Sequence, residues 1–414
     1  MIISCLAVFC QAVWAQDAAM DTLVARLSSL AARRPPEMIY LQTSKGIYET
    51  GEDLWFKAYV LDAQTHELSG QSQILYLQMV SEPESKAVWQ EIYPVEDGIV
   101  SGHVFVQDTL PDGDYFLEAC TQYSLYADSA ELSSVRKIRI VQKIGDRNEE
   151  TVSAVDSSIR RFETFPESGY LIDGIPSRLA FRATDGRGYP VDVTGALYRD
   201  GELLSAFQSA HAGMGMMEFT PESGRTYQIR LPDGQTFPLP DILPHGMTLR
   251  LSGRDSSFME FEALRTGELP VPFYLVGQLR GMVCCAAGGM VKDSRKIRLP
   301  LDEFPGQGIA VFTLYDENLL PVAERLAYVH PERKLHISAV TDKRNYLTRE
   351  KVTVKIHATD EHGRPAIANL GVSVHDPLYD NPDDPSDILT HACLSRFFLL
   401  FRPEYGFHRT DRRN

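Results

Sequence analysis

One stretch of this 414-residue chain occurs twice, and that repetition limits the possible folds more than any other feature. Tyr40–Asp62 reads YLQTSKGIYETGEDLWFKAYVLD, and Ser338–Asp360 reads SAVTDKRNYLTREKVTVKIHATD. Aligned without a gap, they match at Thr43/Thr341, Lys45/Lys343, Tyr48/Tyr346, Thr50/Thr348, Glu52/Glu350 and Lys57/Lys355. Each copy is a β-rich run, a turn carrying a Tyr and an acidic residue, and an alternating strand. Leu54, Phe56, Ala58 and Val60 share one face in the first copy, as do Val352, Val354 and Ile356 in the second. Period-two alternation marks strands buried on one side. A returning unit of this kind predicts an all-β chain of tandem, immunoglobulin-like sandwiches in an extended array rather than one large enzyme fold.

The length suits two to four domains. With 43% apolar and 23% charged residues the composition is that of a globular chain. A net charge of −15, from 41 basic and 56 acidic residues, argues against a general nucleic-acid binder, which needs a basic footprint.

The mostly apolar run from Ile2 to Val13, ending at Val13-Trp14-Ala15, reads as an export signal without the usual basic start. Neither Cys5 nor Cys10 has a lipoprotein context. No other apolar run approaches the ~20 residues that cross a bilayer. The cysteines beyond the signal, Cys120, Cys284, Cys285 and Cys393, match no zinc or CxxC spacing and read as buried thiols.

In chain order, residues 1–15 form the signal and 16–36 a helical leader. Asp21 is the leader's N-cap, Leu23, Val24, Leu27 and Leu30 its apolar stripe, and Pro35-Pro36 its stop. A first sandwich of seven short strands is expected over 37–147, with Pro111-Asp112-Gly113-Asp114 as a turn and Tyr115, Leu117 and Ala119 alternating after it. The polar, acidic run Gly145–Asp156 reads as a linker. Further sandwiches are expected over 153–244 and 246–334. Ala183-Thr184-Asp185 with Gly188 and Pro190 repeats as Ala358-Thr359-Asp360 with Gly363 and Pro365, a turn that Asp caps and Gly allows. The last segment, 335–414, begins as another sandwich and includes LGVSVHD. It then turns basic and loses its alternation, and it is shorter than the ~100 residues of such a module. A truncated or frame-shifted product, or a fragment, is the expectation.

No HExxH, GxSxG, Walker A, strand-to-helix GxGxxG or EF-hand loop is present. No residue is therefore assigned to catalysis, to a cofactor or to a metal. His211 with Met214, Met216 and Met217 offers soft-metal donors, but Gly213 and Gly215 point to a hairpin. The acidic run Asp380–Asp387 has oxygen donors for calcium, yet such loops are more often simply solvated. Glu52 and Glu350 beside Tyr48 and Tyr346 resemble acid–base pairs. Their matched placement favours a fold requirement, with each Tyr packing at the sandwich edge and each Glu satisfying turn amides. Trp55, Phe56 and Tyr59 suggest a sugar platform, although Trp55 and Phe56 point to opposite faces. Tyr48, Glu52, Trp55, Tyr346 and Glu350 are the positions on which the modules should depend.

These residues carry a resemblance. YLQTSKGIYETGEDLWFKAYVLDA, with its Tyr and Gly-Glu before a strand, resembles the opening of a macroglobulin-like domain of the alpha-2-macroglobulin superfamily. LPDGDYFLEACTQY resembles a later strand of the same domain. The ordered set from FPESGYLIDG through HAGMGMMEFTP and GIAVFTLYDENLLPVAERLAYV to TDKRNYLTREKV is similar to exported Gram-negative proteins that string such domains together, sometimes before a TonB-dependent receptor plug-like domain. It covers roughly Met38–Asp380. The resemblance implies a non-enzymatic, periplasmic or outer-membrane-associated scaffold or binding module, with an envelope protein or outer-membrane transporter as partner. The thioester of the macroglobulins has no counterpart, since no Gly-Cys-Gly-Glu-Gln run exists, so protease trapping is not implied. The alternative is an accessory region of an envelope carbohydrate-active enzyme or an inhibitor-like protein.

Overall fold

The computed structural model describes residues 18–32, 37–82, 86–123, 134–144, 161–186, 188–381 and 387–398. The run read as an export signal at 1–15, that read as a linker at Gly145–Asp156, most of the acidic run Asp380–Asp387 and the residues from 399 onward lie outside the described residues. The chain divides into two compact units. One holds the first sandwich with the second copy of the repeat. The other holds the N-terminal helix with the strands from β9 to β22 and most of the two that follow.

The first sandwich is built from β1 (Glu37–Thr43), β2 (Ile47–Glu49), β3 (Asp53–Asp62), β4 (Ile74–Ser81), β5 (Lys86–Pro94), β6 (Ile99–Phe105), β7 (Gly113–Cys120) and β8 (Ser134–Val141). A three-stranded sheet, β1-β3-β6, faces a five-stranded one, β2-β8-β7-β4-β5. The alternating residues of β3 turn inward: Leu54, Phe56, Ala58 and Val60 pack with Leu75, Leu77, Met79, Tyr115, Leu117, Ala119, Ile138 and Ile140. Burial on this scale, at about 25 cal/mol per Å² of apolar surface, drives the two sheets together. Eight strands stand where seven were expected. The extra one, β2, is three residues long and pairs in parallel with β8, so local pattern gives little sign of it.

The next strands are β9 (Arg161–Pro166), β10 (Leu171–Ile172), β11 (Ser177–Thr184), β12 (Thr194–Arg199), β13 (Glu202–Gln208), β14 (Met214–Phe219), β15 (Tyr227–Arg230), β16 (Thr236–Pro238) and β17 (Ile242–Leu243). Sheets β14-β11-β9 and β13-β12-β15-β16 close on a core that includes Phe162, Phe181, Phe207, Leu197 and Ile229. The Asp-capped turn is present as read. The amide of Tyr189 donates to Asp185 Oδ1 at 2.9 Å and that of Arg364 to Asp360 Oδ1 at 2.9 Å. Gly188 and Gly363 both take φ near +80°, where a Cβ would be strained.

Strands β18 (Met247–Arg254), β19 (Phe258–Arg265), β20 (Val271–Leu279), β21 (Met282–Val291), β22 (Ser294–Pro300), β23 (Gly308–Tyr315) and β24 (Pro321–Val329) form sheets β18-β19-β22 and β21-β20-β23-β24. Phe261 and Phe312 meet between them with ring centroids 4.4 Å apart. The N-terminal helix α1 spans residues 18–31. It buries Leu23 against Tyr274, Val276 and Tyr315 on the outer face of this sheet. That cover explains why β20 reads as a continuous apolar run, since its residues are buried on both sides.

The second copy of the repeat forms a two-stranded sheet of β25 (His336–Thr341) and β26 (Val354–Thr359). Its register is that of the first copy: Thr341 pairs with Val354 as Thr43 pairs with Phe56, and Ile337 with Ala358 as Ile39 with Val60. The residues that form the core face in the first copy are open here, with Ile337, Val352, Val354 and Ile356 exposed. LGVSVHD, expected within a fourth sandwich, is not a strand. It leads into a short 3-10 turn at Pro377–Tyr379, and helix α2 (Ile388–Phe398) follows. Alternation alone does not make a strand, because the backbone also needs a neighbour to hydrogen-bond.

Candidate functional site

The repeated turn gathers a dense polar constellation in the first unit. Gly51 at φ +81° lets the chain reverse between β2 and β3, which brings Glu52 back under Lys45. Lys45 Nζ lies 2.7 and 2.8 Å from the two Glu52 carboxylate oxygens. Glu52 Oε1 also accepts from the Glu49 amide at 2.7 Å. The phenolic oxygen of Tyr48, fully buried, accepts from the Lys45 amide at 3.1 Å and shares a hydrogen bond with Ser44 Oγ at 3.0 Å. Burial raises the Tyr48 pKa above its ordinary value, so the phenol is neutral. Thr43 Oγ1 closes the turn by donating to the Lys45 carbonyl at 2.9 Å.

The second copy repeats these contacts. Thr341 Oγ1 donates to the Lys343 carbonyl at 2.7 Å, the Lys343 amide to Tyr346 at 2.9 Å and the Leu347 amide to Glu350 at 2.8 Å. Lys343 and Glu350 form the ion pair. Asp342 replaces Ser44 and accepts from Tyr346 at 2.7 Å, which together with the Thr353 amide holds its carboxyl below the usual range. Arg349, at φ +62°, stands where the first copy has Gly51.

Each Glu thus serves a lysine and a turn amide, and the pair performs a clamping role. The first turn is further clasped by the segment after the second copy. The Gly46 amide donates to the Tyr379 carbonyl at 3.0 Å, and Asn381 Nδ2 to the Lys137 carbonyl at 3.0 Å. Lys45 Nζ sits 4.0 Å from the Tyr379 ring centroid, a cation–π contact. A Cβ at Gly46 would meet that of Asn381 at 2.5 Å, so this close approach requires glycine. Higher up, Lys57 Nζ donates to the Leu370 carbonyl at 3.0 Å.

The other singled-out residues do not converge. Met217 is in the core, whereas Met214 and Met216 are exposed on the opposite side of β14, and His211 and Met214 close a tight hairpin. Among the described residues no group of three His, Cys, Asp or Glu side chains is gathered as a metal site requires. Of the aromatic trio, Phe56 belongs to the core and Tyr59 is buried, while Trp55 is 56% exposed. Two residues that sequence reading passed over, His103 and Phe105 on β6, stand beside Trp55 instead. Their signal was the alternation of GHVFV, which assigns them one face without saying which strand adjoins it. Burial pushes the thiols of Cys120 and Cys285 up to about 11 and about 12.

No protein-family model matches the chain, and no curated protein does. Among solved structures it is similar to a Salmonella alpha-2-macroglobulin at 12% identity and TM-score 0.22, covering 78% of this chain and 25% of that one. It is similar to latent PorU from Porphyromonas gingivalis at 12% identity and TM-score 0.31, covering 71% and 34%. The tetra-tandem repeat of a large adhesion protein gives 12% identity and TM-score 0.20, covering 78% and 80%. The chain spans a quarter of the length of the Salmonella protein. At these values the likenesses carry no argument, and the β-sandwich assignment rests on the strand pairing described above.

Proposed function

We propose that this chain is a non-enzymatic, exported, macroglobulin-like protein of the bacterial envelope, acting as a multi-domain scaffold or binding module. Its partner on this reading is an outer-membrane transporter or another envelope protein, as part of a TonB-linked uptake system. The observation that carries the proposal is the turn built twice with the same contacts. In both copies the Tyr and Glu that resemble acid–base machinery are committed to holding a hairpin, so the repeated chemistry is architectural. Modules of this kind offer loops and strand edges to partners while keeping their cores intact.

Expression of the full chain in a Gram-negative host, followed by fractionation and crosslinking in intact cells, tests this. Recovery in the periplasmic or outer-membrane fraction, crosslinked to an envelope protein, supports the proposal. An unprocessed chain confined to the cytoplasm overturns it.

A further inference from the structure

On the outward face of the first sandwich, three cross-strand pairs stand in a row between β3 and β6: Asp53 with Phe105, Trp55 with His103, and Lys57 with Ser101. Trp55 and Phe105 are 56% and 55% exposed, unusual for side chains that fold so readily into cores. The indole and the imidazole lie together, ring centroids 4.8 Å apart and tilted by 36°. The rings sit on a sheet whose inner face is packed by Leu54, Phe56, Val100 and Val104, so they are held on a rigid base. We infer that this row is a carbohydrate-binding platform that takes neutral oligosaccharides.

The CH face of a pyranose ring is apolar and slightly positive at its hydrogens, and it is drawn to the negative face of an aromatic ring. Its rim of hydroxyls needs donors and acceptors at the edges of the platform. Asp53, Ser101 and His103, all exposed, supply them on either side of the two rings. A protein partner would favour a contiguous apolar centre without charges, whereas every pair here sets a polar residue beside a ring or beside another polar residue. A nucleic acid also stacks on aromatic rings, but it requires a basic groove. Here Asp53 offsets Lys57, whose ammonium is already engaged by Asn369 and Leu370, and the whole chain carries −15. The charge pattern therefore selects an uncharged ligand.

This inference rests on the binding-module reading above. Titration calorimetry of the full chain with cellohexaose, maltohexaose, xylohexaose and chitohexaose tests it. At least one should bind, with roughly tenfold or greater weakening in Trp55→Ala and a smaller loss in Phe105→Ala. Both variants should keep the wild-type melting temperature, because the side chains lie outside the core, against the sequence expectation that the module depends on Trp55. Trp55→Phe should recover part of the affinity. Failure of all four sugars to bind, or binding indifferent to Trp55→Ala, overturns the inference. So does Trp55-dependent binding of a hexadeoxynucleotide instead. Chromatography of the sugars after incubation separates the two proposals: shortened products overturn the non-enzymatic reading, whereas absent binding overturns only the platform.

Discussion

The phenolic oxygen of Tyr48 accepts a hydrogen bond from the amide of Lys45, three residues back, at 3.1 Å. Tyr346 stands to Lys343 in the same way at 2.9 Å, but Tyr48 is sealed in a core and Tyr346 is not. The same substitution should therefore have unequal costs. Tyr48→Phe leaves a part-buried amide without its acceptor and removes the hydrogen bonds of the buried phenol, and should cost about 1 kcal/mol or more. Tyr48→Ala also opens a cavity and should cost about 3–5 kcal/mol. Tyr346→Phe, where water replaces the lost partner, should stay within about 1 kcal/mol. Urea denaturation of the three variants measures the difference. A Tyr48→Ala chain of wild-type stability would show that the turn does not depend on this residue.

Arg349 holds a left-handed conformation that the first copy gives to Gly51. An L-residue there loses about 1–2 kcal/mol to the contact between its Cβ and the carbonyl. Arg349→Gly should stabilise the second hairpin, by less than that amount because glycine is freer when unfolded. Amide hydrogen exchange in 336–359 should slow in the variant.

Burial pushes the Asp114 carboxyl up, but Arg139 at 2.7 Å and Lys137 at 3.0 Å outweigh it and hold the pKa below the ordinary value. A depressed folded pKa adds stability above the unfolded value, near 4, and loses it as pH falls through the folded value. Asp114→Asn should lower stability at pH 7 by about 1 kcal/mol, given partial solvent screening. The loss should shrink as the pH is taken from 7 down to 2 and the native carboxyl takes up its proton. Denaturation curves at the two pH values check both halves.

A thiol at about 12 is almost wholly protonated at neutral pH, and only the thiolate attacks. Cys285 in the native chain should react with iodoacetamide at least a hundredfold more slowly than free cysteine, and Cys120 nearly so. Both should label at once in urea, and peptide mapping by mass spectrometry reads the sites.

Leu23 is the fully buried contact of helix α1 with β20 and β23. Leu23→Ala should cost about 2–5 kcal/mol in that unit and leave the first sandwich unchanged. Proteolysis within residues 18–32 should accelerate at the same time.

Alternation made β3 legible, because each of Leu54, Phe56, Ala58 and Val60 is buried on the side its spacing assigned. The Asp-Gly-Pro turns were legible for the same reason: the chemistry that forms them is local. What sequence missed depends on neighbours far along the chain. The pairing of β2 with β8, the seat of Leu23 on Tyr274 and the meeting of Trp55 with His103 are set by register, not by pattern. LGVSVHD carries the alternation of a strand. In the first sandwich the strand at that place, β4, lies between β5 and β7, and among the described residues no pair flanks LGVSVHD in that way.

Tyr379 Oη reaches Glu49 Oε1 at 3.5 Å and Asn381 Nδ2 reaches the Lys137 carbonyl at 3.0 Å, contacts between groups 330 and 244 residues apart. A ribosome adding about 5–20 residues per second delivers Tyr379 roughly 15–65 seconds after Glu49. For that interval β1 to β8 can already have closed on their core while the Gly46 amide, the Lys137 carbonyl and the Lys57 ammonium still face water. The first sandwich thus gains these contacts only after its own eight strands have been made, since they wait for residues 369–381 to be translated.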